Sequence, residues 1–358
     1  MQVVHFSALK EQGGAARVAR ILHKRLSSQG VVSDHVWEVE GQGLEGLLQK
    51  SDRSILHIHS CLNWLDVLKK IAGLSRVVIT AHDCSLITGG CVYPLQCEQW
   101  KTGCEYCERG FVQSHKVWQS KKDILFQTRP LIVSPSKWLG KMVRQFLPEF
   151  KIKVIPNGIE WDEEVVKDSG LLNQFNFLKK YPSVLFVAHG GTKAVYKGGS
   201  RWEDVWQKIA EAMPEARALF VGGDKIRQER NLYFLPYLPQ DTLYALMQSC
   251  SVLAYPTVAD NHPLIVLEAM RCRLPVVAFN VGGIGEQIVH GETGILINSG
   301  NWDELAQEVV RLLKKRRRAR FMADTAFERG KQFFSASRMV SEYIKIYAQI
   351  DSRGNHAR

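Results

Sequence analysis

Short apolar runs of strand length recur along this chain, each parted from the next by a helical or helix-length segment. That rhythm leaves few folds open. Val3–Phe6, Val32–Trp37, Ile55–Ile58, Val77–Thr80, Leu131–Val133 and Val154–Ile155 form a first series. A second begins at Val184–Ala188 and continues through Ala218–Val221, Leu232–Leu235, Val252–Tyr255, Val276–Ala278 and Ile295–Ile297. Strands alternating with helices imply a parallel sheet in a doubly wound α/β domain. The first connection shows the pattern: Gly13-Gly14 opens a helix with Ala15, Val18, Ala19, Leu22 and Leu26 on one stripe, closed by Gly30. With 358 residues the chain is long for one core and suits two. Ligands of such sheets bind beyond the carboxyl ends of the strands.

Composition narrows the partners. No apolar run approaches the ~20 residues of a membrane span. Met1–Phe6 reads as a first strand, since no basic segment or cleavage pattern accompanies it, and a cytoplasmic location is expected. Most of the net charge of +11 lies in the first half, which suggests an anionic partner: a membrane surface or a phosphorylated acceptor. Nucleic acid is not expected, because no recognised binding module accompanies the charge. The densest basic run, Lys314–Arg320, continues a helix with Leu305, Val309, Leu312 and Leu313 on one face, and reads as its solvated end.

The segment Asp260-Asn-His-Pro-Leu-Ile-Val-Leu-Glu268 carries the chemistry. Asp260 follows a strand, His262-Pro263 leads into a helix, and Leu264, Leu267 and Met270 fall at helical spacing. One acid therefore stands in the loop at the strand's end and the other about a turn inside the helix. First-turn N–H groups between them suit an anion. Such a site would hold a charged ligand beside the two acids.

A second constellation is the loop around Cys91, Cys97, Cys104 and Cys107, rich in Gly, Pro and Trp. Four thiolates within seventeen residues can satisfy tetrahedral zinc, and Cys104-x2-Cys107 has knuckle spacing, although the other pair is wider than usual. A structural zinc, packed reduced thiols, and disulfides or an iron–sulfur cluster all remain open; a cytosolic location disfavours disulfides. The other four cysteines, Cys61, Cys84, Cys250 and Cys272, read as ordinary core or near-surface residues.

The Asp260–Glu268 segment resembles the E-x7-E signature of retaining family 4 glycosyltransferases, with Asp260 in place of the first Glu. Arg271-Cys-Arg-Leu-Pro-Val-Val-Ala278 and Gly282-Gly283-Ile284-Gly285-Glu286 extend the likeness, which covers nearly the whole chain and is strongest from Val184 to Ile297. A cysteine-bearing loop like this one occurs in some bacterial exopolysaccharide transferases of that family. The resemblance implies a GT-B fold: two Rossmann-like doubly wound parallel-sheet domains facing a central cleft. The domains would be an acceptor-side domain at 1–158, with its cysteine loop at 84–110, and a nucleotide-sugar domain at 159–334. A final helix at 335–350 would pack back on the first domain. The Pro-Asn-Gly of residues 156–158 would form the hinge and the polar segment up to Pro182 a linker, while a tail from Asp351 is expected to be disordered.

Roles follow from the same resemblance. Lys197, before Gly198, would stabilise the leaving diphosphate, helped by Lys193, which stands one position off the family spacing. Asp260 would hold donor-sugar hydroxyls, Glu268 the ribose, and His82 the reacting sugars, with Asp83 a candidate to orient its ring. Gly13 and Gly14 would let a phosphate approach; Asn261, His262, Pro263, Leu264, Gly283, Ile284 and Glu286 would complete the donor site. The implied activity is transfer of a sugar from a nucleoside diphosphate to a saccharide or lipid-linked hydroxyl, with no cofactor in catalysis. Surface-polysaccharide assembly, with peripheral contact at the inner face of the cell membrane, is the expected setting. A sugar-nucleotide epimerase and an inactive nucleotide-sugar-binding scaffold are the alternatives.

Overall fold

The computed structural model describes residues 1–41, 44, 54–161 and 172–355. It divides into two compact units, Met1–Gly158 with Ala336–Arg358, and Ile159–Ser335. Each holds one sheet of the parallel, doubly wound kind expected.

The first sheet contains β1 (Gln2–Ser7), β2 (Val32–Trp37), β3 (Ile55–Ile58), β4 (Val77–Thr80), β5 (Leu131–Ser134) and β6 (Ile152–Val154). Its order is β2-β1-β3-β4-β5-β6, all parallel. The chain leaves β1 toward β2 on one side and returns as β3 on the other, so the winding reverses between β1 and β3. That crevice is where an open sheet takes a ligand. Helix α1 (Gly14–Ser28) buries Ala16, Val18, Ala19, Leu22 and Leu26, with Ala16 rather than Ala15 completing the stripe. Gly30, at φ +75°, ends it: Val31 N–H reaches the Leu26 carbonyl and Gly30 N–H that of Ser27, the bonds of a Schellman turn. Helices α2 (Trp64–Ile71), α3 (Ser114–Thr128) and α4 (Lys137–Phe146) follow. The first and last are capped by the Asn63 and Ser136 side chains.

The second sheet contains β7 (Ser183–Val187), β8 (Arg217–Gly223), β9 (Arg227–Glu229), β10 (Leu232–Pro236), β11 (Val252–Tyr255), β12 (Val276–Phe279) and β13 (Ile295–Ile297). The order is β13-β12-β11-β7-β8-β10-β9, parallel except for β9. The three residues of β9, Arg-Gln-Glu, are exposed at the edge and carry no apolar pattern, which is why sequence reasoning passed over them. Here the winding reverses between β7 and β11. Around the sheet lie α5 (Trp202–Ala212), α6 (Gln240–Ser249), α7 (Leu264–Arg271), α8 (Ile284–Gln287), α9 (Trp302–Lys314) and α10 (Arg316–Phe333). Trp202 of α5 packs between Phe186 and Phe220, and α9 adds Leu305, Val309, Leu312 and Leu313 to the same core. At roughly 1.5–3 kcal/mol for each large side chain removed from water, this stripe holds α9 in place.

The basic run is not one continuous helix. Lys315 leaves helical geometry (φ −101°, ψ 58°) and α10 starts at Arg316, so the charges mark a corner between two helices. Arg316, Arg317 and Arg318 are exposed while Ala319 packs inward.

Helix α11 (Ala336–Asn355) belongs to the first unit. Tyr347 and Tyr343 are fully buried and bond His57 Nδ1 and Thr80 Oγ1 at 2.7 and 2.9 Å. The expectation of a disordered tail from Asp351 is corrected: α11 runs on to Asn355, and Asp351 pairs with Arg76 at 2.6 Å. Residues 356–358 of that tail lie outside the described residues, as do 162–171 of the linker. The linker's end, Leu172–Lys179, forms 3-10 turns with Phe175 and Leu178 buried. Among the described residues, no helix is long and apolar enough to cross a membrane.

Candidate active site

At the reversal point of the second sheet, two loops are laced together. After β7 the chain makes three one-turn 3-10 helices, Gly191–Lys193, Val195–Lys197 and Gly199–Arg201, before α5. The Tyr196 carbonyl accepts from Thr257 Oγ1 and Val258 N–H at 2.8 and 2.9 Å, which ties this loop to the one after β11. Gly198, at φ +67°, makes the approach possible: a Cβ there would stand 2.2 Å from the Pro256 carbonyl oxygen. Lys197 is thereby aimed at Asp260, and its ammonium pairs with Oδ2. Tyr255 donates its hydroxyl to the same oxygen at 2.5 Å, and Asn261 N–H bonds Oδ1 at 2.9 Å. Asp260 is 7% exposed, so this is a largely buried carboxylate with both oxygens engaged.

Glu268 lies further along, on α7, and is 1% exposed. Pro263 stands at its N-cap, where it offers no side-chain hydrogen bond. The next loop closes over Asp260: Gly283 N–H donates to the Asp260 carbonyl at 3.2 Å. Gly282 is indispensable there, since at φ +57° a Cβ would lie 1.7 Å from that carbonyl oxygen. Buried Gln287 of α8 bonds His262 Nδ1 at 3.1 Å and the Pro263 carbonyl at 3.0 Å, and Arg329 of α10 bonds the carbonyls of Glu286 and Gln287. Asn261, His262, Pro263, Leu264, Gly283 and Ile284 are buried around this junction, and the Leu264 and Ile284 side chains belong to the core. Lys193 is held elsewhere, in an exposed pair with Asp224 at 2.7 Å.

The first sheet's reversal point is lined by imidazoles. His35, His5 and His57 stand in register across β2, β1 and β3. His5 Nδ1 and His59 Nε2 are 3.0 Å apart, and His59 Nδ1 meets His82 Nε2 at 3.2 Å. One chain of rings thus links buried His5 to His82, just beyond β4, and the tautomer of each ring sets the next. Among the described residues, His5 Nε2 has no hydrogen-bond partner. Burial, with the neighbouring imidazoles, holds His5, His57 and His59 well below the ordinary histidine range, and burial lowers His82 to about 3. The cluster is therefore neutral at physiological pH. Asp83 caps the turn Cys84–Leu86 through Ser85 N–H, and the His82 ring meets His59. Gly13 (φ +86°) and Gly14 stand exposed at the start of α1, with nothing within 4 Å of a Cβ on either.

Sequence reasoning did not find His5, His59, Tyr255, Gln287 or Arg329. For the histidines a signal existed: His57 and His59 alternate at the end of a strand, two residues apart. Tyr255 and Arg329 carry none, because they meet the site only through folding.

Residues 182–315 match the family model for glycosyl transferases group 1. Over 98% of the chain, and 100% of the relative, the sequence is 22% identical to the "Putative colanic acid biosynthesis glycosyl transferase WcaC" of Escherichia coli (strain K12). Sucrose-phosphate synthase from Thermosynechococcus elongatus matches in structure with a TM-score of 0.77 at 16% identity, covering 98% of this chain and 99% of that one. HepE from Anabaena, solved in complex with UDP-glucose, matches with a TM-score of 0.70 at 17% identity, over 98% and 100%. At these identities the structural likenesses speak to the fold. Residues 182–315 are thus a glycosyl transferases group 1 domain, and the two parallel-sheet units have the fold of the GT-B structures they resemble.

Proposed function

We propose that this protein moves a sugar from a nucleoside diphosphate sugar to a hydroxyl of a saccharide or lipid-linked acceptor, with retention of anomeric configuration. The observation that carries the reading is the pair of half-buried Lys197 with buried Asp260 beyond β7 and β11, where an open α/β sheet takes its ligand. Breaking the bond between the anomeric carbon and the phosphate oxygen leaves negative charge on the diphosphate. A lysine in a partly dry site stabilises that charge as it grows. As the ammonium turns to the phosphate, Asp260 Oδ2 can accept from a sugar hydroxyl, still supported by Tyr255. Glu268 is assigned to the ribose, the backbone at Gly283, Ile284 and Glu286 to the rest of the nucleotide, and the neutral His82 ring to a sugar hydroxyl. The acceptor oxygen forms the new bond on the face the leaving group vacates, and its proton goes to the departing phosphate oxygen. No second carboxylate nucleophile and no metal is assigned to this step.

Three further points belong to the same proposal. A uridine nucleotide is the first donor to test, on the likeness to HepE. Surface-polysaccharide assembly is the assigned setting, on the name of the E. coli relative. Cytoplasmic work with peripheral contact at an anionic membrane rests on the chain's positive charge.

The test is incubation with UDP-, GDP- and ADP-sugars and a panel of saccharide and lipid-linked acceptors, with the product's anomeric configuration read by NMR. A product that keeps the donor's configuration supports the reading. An inverted product, donor epimerised without acceptor, or donor bound with no turnover would each replace it.

A further inference from the structure

The loop between β4 and α3 has no part in the chemistry assigned above, yet it is held in one defined shape. Its regular structure is two one-turn 3-10 helices, Cys84–Leu86 and Gln99–Lys101. Leu86, Ile87, Tyr93 and Trp100 are buried and anchor it, while Val92, Leu95, Tyr106, Phe111 and Val112 are exposed, so apolar packing holds only part of it. Four of its cysteines face one space. Cys91, Cys97, Cys104 and Cys107 all line one cavity of about 40 Å³.

We propose that Cys91, Cys97, Cys104 and Cys107 bind one zinc ion, which fixes this loop. Three observations carry this beyond the spacing of the cysteines. The backbone is bent toward the cavity at strained positions: Cys104 has φ +55° and follows Gly103 at φ +134°. The Gly89 N–H donates to Cys104 Sγ at 3.2 Å, an outer-shell bond that favours a thiolate. Finally, cations lie close by, although Glu108 also lines the cavity. Zinc with four thiolates carries a net −2. Lys121, 2% exposed, gives its ammonium to the Ser85 carbonyl at 2.6 Å and to that of Thr88, beneath the loop. Arg109 lines the cavity and bonds the carbonyls of Tyr93 and Pro94 at 2.6 and 3.1 Å. Cations that bond the backbone of this loop would offset part of the charge of a dianionic centre.

Among the described residues, the donor atoms that already stand within 4.8 Å of one another are those of His5, His57 and His59, rather than three of these sulfurs. Closing to the roughly 3.8 Å between sulfurs on a tetrahedral zinc takes rotamer changes, which partly exposed Cys91, Cys97 and Cys107 can make. The histidine trio is the weaker ligand set. Both ring nitrogens of His57 are engaged by Tyr347 and Thr80, and His5 and His59 bond each other.

The test measures zinc on the full chain purified without chelator. Beside it stand a Cys104→Ser/Cys107→Ser double variant and a Cys250→Ser control. Wild type and control should hold about one zinc per chain, and the double variant less than about a tenth of that. Since that variant can fail to fold, metal-depleted wild type is also given Co²⁺ alone, and should develop the thiolate charge-transfer and visible bands of a tetrahedral site. Zinc retained in the double variant moves the ion to the histidines and overturns the proposal. So do iron in place of zinc, disulfides among the four cysteines, or folded, reduced wild type that shows no cobalt bands.

Discussion

The two units build the same parallel sheet and reverse its winding at the same kind of place, yet they furnish the two crevices oppositely. In the second unit the crevice holds charge: Lys197 against Asp260, with Tyr255 and a backbone N–H sharing the carboxylate. In the first unit it holds neutral rings, His5, His57 and His59, buried and kept uncharged by that burial. A buried ion pair is costly to desolvate and is justified where a charged ligand will exchange with one partner. A chain of neutral imidazoles costs less and fixes direction, because each ring's tautomer constrains its neighbour. A shared topology decides where ligands go, and the side chains at the strand ends decide which.

The sharpest way to break this contrast is Lys197→Ala. Transfer should fall by about 10²–10³-fold or more, with the thermal midpoint little changed, because the lost group acts on developing charge. Near-normal turnover in a steady-state assay would remove the charged half of the comparison.

Next come the glycines. Gly282→Ala should cost about 3 kcal/mol or more by urea unfolding, since left-handed strain and a backbone clash at Asp260 act together. Gly13→Ala meets no neighbouring atom and should cost only about 1–2 kcal/mol of backbone strain. Equal losses would show that the second crevice is no more tightly built than the first.

Acid should act on the first unit. Its histidines have folded pKa values below the unfolded 6.5, so the unfolded chain binds more protons as pH drops. Their contribution is complete above about pH 6.5 and is lost progressively as pH falls toward the folded values. Hydrogen exchange at pH 7.5 and pH 5 should show protection falling in β1, β3 and α11 before it falls in β7 and β11. Loss spread evenly over both sheets would contradict the assignment.

The smallest effect belongs to Lys193→Ala. Its pair with Asp224 is fully exposed, so kcat/KM should change by less than about twofold. A drop comparable to that of Lys197→Ala would bring Lys193 into the donor site after all.

Much of this molecule could be read from the chain because parallel strands buried on both faces announce themselves as short apolar runs. All twelve such runs became strands, while exposed β9 left no trace. The Asp260-to-Glu268 segment was legible for a related reason, since strand end, loop and helix start are all local. What local pattern could not reveal were contacts between distant segments. Tyr255 reaches Asp260 because its strand ends beside the loop; Arg329 reaches α8 from a helix more than forty residues later. The tail gave too weak a local signal for order, and the pair of Asp351 with Arg76, far away in sequence, is a tertiary contact.

Fold class, the position of the acids and the cysteine cluster were thus decided by residue types and spacing, which report on backbone periodicity and local chemistry. The neutral histidine chain, the separation of Lys193 from Lys197, and the lining of one cavity by four cysteines were decided only by tertiary structure. Burial and hydrogen-bond partners are properties of the packed interior, and no window of sequence contains them.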